Sequence, residues 1–182
     1  VKGTGSLLVT NFTATYVANV AIVVVNASGT AHGHFISVSA ATVANVSIVI
    51  ITSDLTATIP NSQASVACIL NATSARDVSL VFYQSRVRLL SGDTPTLPSC
   101  AGGFVVLSAP TGTLSLTSVH IAAFNSTVLV VNEKAGGAVV LGVVGGRATS
   151  TIAFDIRLAD VTFIAQGSTL MAAGGTTASA PV

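Results

Sequence analysis

The stretch that decides the fold is VANVAIV at residues 17–23, which recurs 26 residues later as VANVSIV at residues 43–49. Three weaker copies follow: RDVSLVF at 76–82, TSVHIA at 117–122 and ADVTFI at 159–164. In each copy a small polar residue precedes Val, then a variable residue, then a large apolar one. These lead residues, spaced by 26, 32, 41 and 42 positions, are Asn19, Asn45, Asp77, Ser118 and Asp160.

The repeated pattern predicts a bend residue that leads into a strand with inward positions at i and i+2. Asn and Asp tolerate the left-handed αL conformation and hydrogen-bond their own backbone, so they suit a corner before a strand. Two copies are entered from another alternating stretch, at residues 112–116 and 152–158. Strand, short polar corner and strand predict an all-β parallel β-solenoid (β-helix) of about five coils, with loops of unequal length.

An antiparallel sandwich would also show short strands and turns, but it does not predict one strand-entry motif five times. The hairpin dipeptides Asn-Gly and Asp-Gly are absent from the sequence. We therefore expect residues 1–182 to form a single β-solenoid domain, a fragment of a larger repeat ectodomain. The loop-like residues 91–99 are expected to be an insertion in it.

Composition excludes several classes of protein. Only 7% of residues are charged, against about 25% in an ordinary domain, and the seven basic residues are dispersed, so we expect no nucleic-acid partner. Apolar runs such as residues 20–25 and 48–51 are far shorter than the about 20 residues of a membrane-spanning helix. Val1, Lys2 and Gly3 do not resemble the start of a signal peptide, and we expect none in residues 1–182. We expect a mature chain or a fragment, with any targeting or anchoring segment outside it.

The sequons and the two cysteines indicate that the protein passes through the secretory pathway. Composition alone would give about two Asn-X-Ser/Thr sequons. The sequence contains five, at Asn11, Asn26, Asn45, Asn71 and Asn125. We predict N-glycosylation in a eukaryotic secretory pathway, with chance composition as the alternative. In that compartment Cys68 and Cys100 would form a disulfide worth about 3 to 4 kcal/mol, the alternative being two buried thiols.

Candidate chemistry is sparse. Asp77 and Asp160 share a repeat position about 9 to 10 Å apart, a separation that an inverting glycosidase could use. Two corner-forming residues are the simpler interpretation. Asp155 and Arg157 are expected to form a surface ion pair. His32 and His34 are interpreted as loop histidines, because a metal site would need more ligands than His120 can add. We predict no enzyme activity, no catalytic residue, no metal and no cofactor.

The charge-poor, Ala/Val/Thr/Ser-rich composition, the sequons and the phrase VANVSIVI at residues 43–50 resemble the dispersed gene family surface proteins of trypanosomes. The resemblance implies a fragment of a very large, glycosylated membrane protein with a β-helix-like ectodomain and a role in adhesion. It carries over no functional residues.

Three functions follow as hypotheses. The first is a non-enzymatic cell-surface or secreted glycoprotein that serves adhesion or surface shielding, with an extracellular or matrix ligand such as a glycan. The second is an extracellular β-helix carbohydrate-active enzyme or lectin. The third is a structural fibre subunit that associates end to end through open strand edges.

Overall fold

The computed structural model describes residues 10–31, 34–59, 65–91, 102–108, 113–132, 139–144 and 155–173. These residues form fifteen strands in three five-stranded sheets, and all neighbouring strands pair in parallel. Val, Ile and Thr fill much of the strands, which is expected because β-branched side chains pack well on a pleated surface.

Every third strand belongs to the same sheet. The first sheet contains, in order, β1 (Thr10–Thr13), β4 (His34–Ser39), β7 (Ser65–Ala72), β10 (Gly102–Ser108) and β13 (Val139–Val144). The second sheet contains β2 (Tyr16–Val25), β5 (Thr42–Ile51), β8 (Ser74–Tyr83), β11 (Thr113–Phe124) and β14 (Asp155–Gln166). The third sheet contains β3 (Ser28–Ala31), β6 (Asp54–Ile59), β9 (Arg86–Ser91), β12 (Thr127–Asn132) and β15 (Thr169–Ala173). We call three consecutive strands, one from each sheet, a triplet.

The prediction of a single parallel β-solenoid built from strand, corner and strand is wrong. The strands belong to three separate parallel sheets, and all five copies of the signature lie in the second sheet alone. The supposed corner is also not a boundary between strands. In β11 the residues before and after Ser118 pair with the same two neighbouring strands, and only Ser118 itself is skipped by the register. The alternating pattern on both sides of the polar residue therefore belongs to one long strand.

The five lead residues have positive φ angles between 49° and 57°. We call them the first αL row: Asn19, Asn45, Asp77, Ser118 and Asp160. Side chains alternate between faces along a strand, and the αL residue resets this alternation. In β11 the inward residues are consequently Leu116 and Val119, three positions apart, and both are buried. The predicted inward positions i and i+2 after the lead residue are confirmed by burial, as in Val46 and Ile48.

A second αL row marks the actual end of each strand of the second sheet. Each member lies seven residues after a member of the first row and has a φ angle between 47° and 60°. The row consists of Asn26, Thr52, Gln84, Asn125 and Gly167. After it the chain enters the third sheet, so this row, which the repeat signature does not include, is where the chain changes sheet.

The core lies between the sheets and consists of small and medium apolar side chains in registered rows. One row of the second sheet runs through Ile50, Phe82 and Ala123, all buried, and Phe82 is the largest fully buried side chain in the described part of the chain. Residues 66–69 of the first sheet are buried consecutively, so both faces of that sheet are covered there. The second sheet, by contrast, alternates between buried and more exposed residues. One of its faces is therefore accessible.

The predicted insertion at residues 91–99 begins at the last residue of β9, and residues 92–99 lie outside the described ranges. Among the described residues, no helix is long and apolar enough to span a bilayer.

Candidate ligand-binding face of the second sheet

The accessible face of the second sheet is bounded by the two αL rows. Between them every strand contributes three outward side chains, and the parallel register aligns those side chains from strand to strand. With strands about 4.8 Å apart, the five strands span about 19 Å. We call this surface the outer face; it consists of one polar row and two apolar rows.

The polar row lies next to the first αL row. Its members are Ala21, Ser47, Ser79, His120 and Thr162. Ser79 Oγ donates to Ser47 Oγ over 3.1 Å, and His120 Nδ1 lies 2.6 Å from Thr162 Oγ1. These bonds fix the orientation of the side chains on the surface. The row therefore offers an ordered set of hydroxyl and imidazole groups to a ligand.

The first αL row continues this polar network. Asn45 Nδ2 donates to Asn19 Oδ1 over 2.8 Å, and Ser118 Oγ donates to Asp160 Oδ2 over 3.1 Å. His120 Nε2 lies 3.7 Å from the same carboxylate oxygen. Because the His120 and Asp160 side chains are about half exposed, water screens this pair and its contribution to stability is small. The polar edge of the outer face is thus hydrogen-bonded within itself but remains open to solvent.

The two apolar rows fill the rest of the outer face. The first apolar row is Val23, Val49, Val81, Ala122 and Ile164, and the second is Val25, Ile51, Tyr83, Phe124 and Gln166. Val23 is 60% exposed, Ile164 52% and Tyr83 43%. Two rows on five strands cover on the order of 300 Å², about the size of the largest apolar patch on a typical monomer, which is often functional.

A buried serine ladder lies directly behind the second αL row. The backbone N–H groups of Ala27, Ser53, Ser85 and Ser126 each donate to the serine Oγ of the next triplet, over 3.0 to 3.1 Å. Each serine hydroxyl in turn donates to the carbonyl oxygen two residues before it, as in Ser85 to Tyr83. The ladder satisfies polar groups that the change of sheet would otherwise leave buried without partners.

The ladder was not predicted from the sequence, although its serines have a constant spacing from the lead residues. Ser53, Ser85, Ser126 and Ser168 each follow a lead residue of the first αL row by eight positions, and Ala27 occupies the same place in the first triplet. The constant spacing is hidden because the offsets between whole repeats vary. An alignment anchored on the lead residues would have shown it.

Four of the five sequon asparagines are αL residues. Asn26, Asn45, Asn71 and Asn125 have φ angles from 48° to 58° and are exposed, whereas Asn11 lies in β1 and its side chain is outside the described part. Asn is several-fold enriched in this conformation because its short polar side chain can bond locally. The backbone thus accounts for asparagine at these places without glycosylation, and N-glycosylation stays a prediction.

Two sequon side chains are engaged in hydrogen bonds. Asn45 Nδ2 donates to Asn19, and Asn71 Nδ2 donates to Ser39 Oγ over 3.1 Å. Asn45 points outward within its row, so a glycan there would extend from the polar edge of the outer face. Of the predicted disulfide, Cys68 is fully buried in β7 and Cys100 lies outside the described ranges. The disulfide also stays a prediction.

The acidic residues are dispersed. Asp77 and Asp160 lie in the first αL row with Ser118 between them, so their backbones are about 10 Å apart, and both side chains face solvent. The predicted ion pair of Asp155 and Arg157 is confirmed, with Nη2 and Oδ2 2.6 Å apart. A further pair, which sequence analysis missed, joins Arg88 to Asp54 across the third sheet at 2.9 Å. It could not be anticipated because β6 and β9 lie 34 residues apart at this contact.

The predicted histidine loop is only partly described. His32 lies outside the described ranges, and His34 is the first residue of β4, not a loop residue. Burial lowers the pKa of His34 and favours its neutral form. In the described part of the chain, no three His, Cys, Asp or Glu side chains lie together in a way that could hold a metal ion.

Comparison of the chain with models of protein families, with curated proteins and with solved structures finds no match.

Proposed function

We propose that this chain is a non-enzymatic extracellular scaffold for adhesion, and that its outer face binds an uncharged glycan. The observation that carries the proposal is the combination of one hydrogen-bonding row with two mainly apolar, partly exposed rows on a registered surface. A sugar ring has an apolar C–H face and a rim of hydroxyl groups, so it matches such a surface in both respects. Tyr83 and Phe124 add aromatic rings on which a sugar can stack.

The charge of the surface supports an uncharged ligand. Within the three outward rows, His120 is the one titratable side chain besides the Tyr83 phenol, and the chain has a formal net charge of +1. An anionic or cationic polymer would therefore find little complementary charge, and specific binding of such partners depends on it. Hydroxyl, imidazole and aromatic groups are the kinds of side chain that a neutral carbohydrate needs.

The adhesion role also draws on the sequence. The sequons, the low charge and the resemblance to trypanosome dispersed gene family surface proteins support a cell-surface or secreted location, with this chain as part of a larger glycoprotein. A glycosidase on the same surface is the second candidate, because Asp77 and Asp160 have a separation compatible with an inverting pair. Asp160 already accepts a hydrogen bond from Ser118, and both carboxylates are exposed, which favours binding without catalysis.

The experiment is a binding assay of the full chain against a panel of immobilised neutral glycans. Replacing Tyr83 with Ala should weaken binding about tenfold, because it removes an exposed ring from the central strand of the outer face. Tyr16→Ala is the matched control, since Tyr16 is a comparably exposed tyrosine in β2 that lies before the first αL row and off the outer face. Equal binding by both variants would exclude this face. Product release from any bound glycan, abolished by Asp160→Asn, would instead favour the glycosidase.

A further inference from the structure

The rows of the outer face repeat the same chemistry in one direction only. Across the strands, the members of one row follow each other at one strand spacing, about 4.8 Å. Along a strand, the outward side chains are about 6.6 Å apart, and their chemistry changes, as in β8 from Ser79 to Val81 to Tyr83. A polymer of identical units therefore meets the same contact at every unit only if it runs across the strands.

These rows are not interrupted by the loops that vary in length. The repeats are spaced by 26, 32, 41 and 42 residues, yet the two αL rows are seven residues apart in every triplet. Between the αL rows, six consecutive residues of each strand pair without a shift, as residues 46–51 do with 78–83. A ligand can therefore follow the rows over all five strands, a distance of about 19 Å.

We infer that the outer face binds an extended β-1,4-linked polysaccharide of neutral sugars, which runs across the strands with one sugar on each strand. This inference rests on the proposed glycan binding and names the class of glycan. In an extended β-1,4-linked chain, each sugar advances the chain by nearly one strand spacing. The two faces of each ring are apolar, and hydroxyl groups line both rims. Such a chain therefore repeats at the spacing of the rows and has the chemistry that the rows require.

The first apolar row provides the surface on which the ring faces lie. Ala122 is the one small member of this row, and the register places it between Val81 and Ile164. Because alanine is shorter than valine or isoleucine, a sugar ring over Ala122 can lie closer to the sheet. The outward neighbours of Ala122 along β11 are His120 and Phe124. The ring would thus have an imidazole at one rim and an aromatic side chain at the other.

The polar row can hydrogen-bond to one rim of the glycan. Since Ser79 Oγ donates to Ser47 Oγ, the Ser47 hydroxyl keeps its own hydrogen for a ligand, and the Ser79 oxygen can still accept. His120 Nε2 lies 3.7 Å from Asp160 Oδ2, which is longer than a hydrogen bond, so it is within reach of a sugar hydroxyl. Sugar hydroxyls both donate and accept, so consecutive sugars can bond to Ser47, Ser79 and His120 in turn.

Other polymers match the rows less well. An extended peptide repeats every two residues, about 6.6 Å, which differs from the strand spacing. Its backbone N–H and C=O groups would also lose hydrogen bonds to water over the apolar rows. Nucleic acids and acidic polysaccharides are negatively charged, and the three outward rows contain no Lys or Arg. An α-1,4-linked chain of the same sugars coils, so it leaves the rows after a few units.

The test is isothermal titration calorimetry of the full chain with oligomers of one to five sugars. Two series are β-1,4-linked, one of glucose and one of N-acetylglucosamine, and the third is α-1,4-linked glucose, which differs from the first in linkage alone. In at least one β-1,4-linked series, affinity should rise about threefold with each sugar from the second to the fifth, or about 30-fold in total. In the α-1,4-linked series the gain should end by the third sugar.

A pair of variants tests the direction of the glycan. Ala122→Glu places a longer, charged side chain in the first apolar row. It should lower the affinity for the five-sugar oligomer about tenfold, to that of three sugars, because the longest uninterrupted run is then β2, β5 and β8. Thr117→Glu is the matched control, since Thr117 is exposed on the same strand but lies before the first αL row and off the outer face. Circular dichroism confirms that both variants are folded.

Equal gains with length in the α- and β-1,4-linked glucose series would overturn this inference and leave glycan binding intact. The same conclusion would follow if affinity in both β-1,4-linked series stopped rising at two sugars, or if the two variants lost affinity equally. Binding of other neutral glycans without either β-1,4-linked series would also overturn the inference alone. Absence of binding to every neutral glycan would reject the proposed function together with it.

Discussion

The buried serine ladder provides the sharpest test of how this fold is stabilised. Ser85 is 4% exposed, accepts a hydrogen bond from the Ser53 N–H over 3.1 Å and donates to the Tyr83 carbonyl over 2.8 Å. Ser85→Ala removes the acceptor and leaves the buried Ser53 N–H without its partner. An unsatisfied buried donor costs about 1 to 3 kcal/mol, so we expect the free energy of unfolding to fall by about 2 kcal/mol.

The position of a serine in the ladder determines the expected loss. Ser168 lies at the exposed end, where water can replace its hydroxyl, so Ser168→Ala should cost about 0.5 to 1 kcal/mol. Ser79→Ala is the control on the outer face, because among the described residues the Ser79 hydroxyl bonds to the Ser47 side chain alone and is partly exposed. Its cost should be within about 0.5 kcal/mol.

Urea denaturation followed by circular dichroism measures these differences, and hydrogen exchange locates them. In Ser85→Ala the amide of Ser53 should exchange faster than in wild type, while amides of the first sheet should change less. If Ser85→Ala is no more destabilising than Ser79→Ala, the ladder does not stabilise the fold in the way that its geometry indicates.

Three further predictions concern the core, the αL rows and pH. Phe82→Ala should destabilise the chain by about 3 to 5 kcal/mol in urea denaturation, whereas Phe124→Ala, at a partly exposed position on the outer face, should cost less, about 1 to 2 kcal/mol. Thr52→Asn should raise the free energy of unfolding by about 1 kcal/mol, because Thr52 is a β-branched residue at φ 48°. Gly167→Ala should lower the free energy of unfolding, because a Cβ there would overlap Asn125 Oδ1. Burial lowers the pKa of His34 in the folded chain, so the unfolded chain binds a proton at a higher pH than the folded chain does. The free energy of unfolding should therefore be constant above about pH 6.5 and decrease below it. His34→Gln should flatten that decrease in thermal melts at a series of pH values.

The sequence predicted those parts of the fold in which the same kind of side chain recurs in every repeat. The lead residues and the apolar positions after them were recognisable because αL backbone selects Asn, Asp and Ser, and because the core selects Val, Ile and Leu. The assignment to three sheets was not predictable from that signature, because it marks only the second sheet. An αL position selects the same polar residues whether it lies within a strand or at a corner between two strands. Only the pairing on both sides of Ser118 distinguishes them.

The candidate site was less predictable than the fold, since its residues are ordinary ones. Val23, Val49 and Val81 are typical of any strand, and they form a row only because triplets of unequal length place them in register. Charged residues and sequence motifs are rare in this charge-poor chain, so Asp77, Asp160 and the sequons were the more conspicuous candidates. Asp77, Asp160 and three of the five sequon asparagines belong to the αL rows, where the backbone conformation accounts for them.

The apolar rows of the outer face call for an explanation beyond strand propensity. Val and Ile favour strands, but Thr has the same β-branched shape and a hydroxyl that suits a surface. The chain uses it in this way on the third sheet, where Thr30 and Thr56 are outward neighbours in the first two triplets. In the same two triplets the second sheet places Val23 beside Val49 on its outer face. Strand propensity therefore cannot account for the difference between the two sheets. A requirement for apolar contact on the second sheet would account for it, and this supports the proposal that this face binds a ligand.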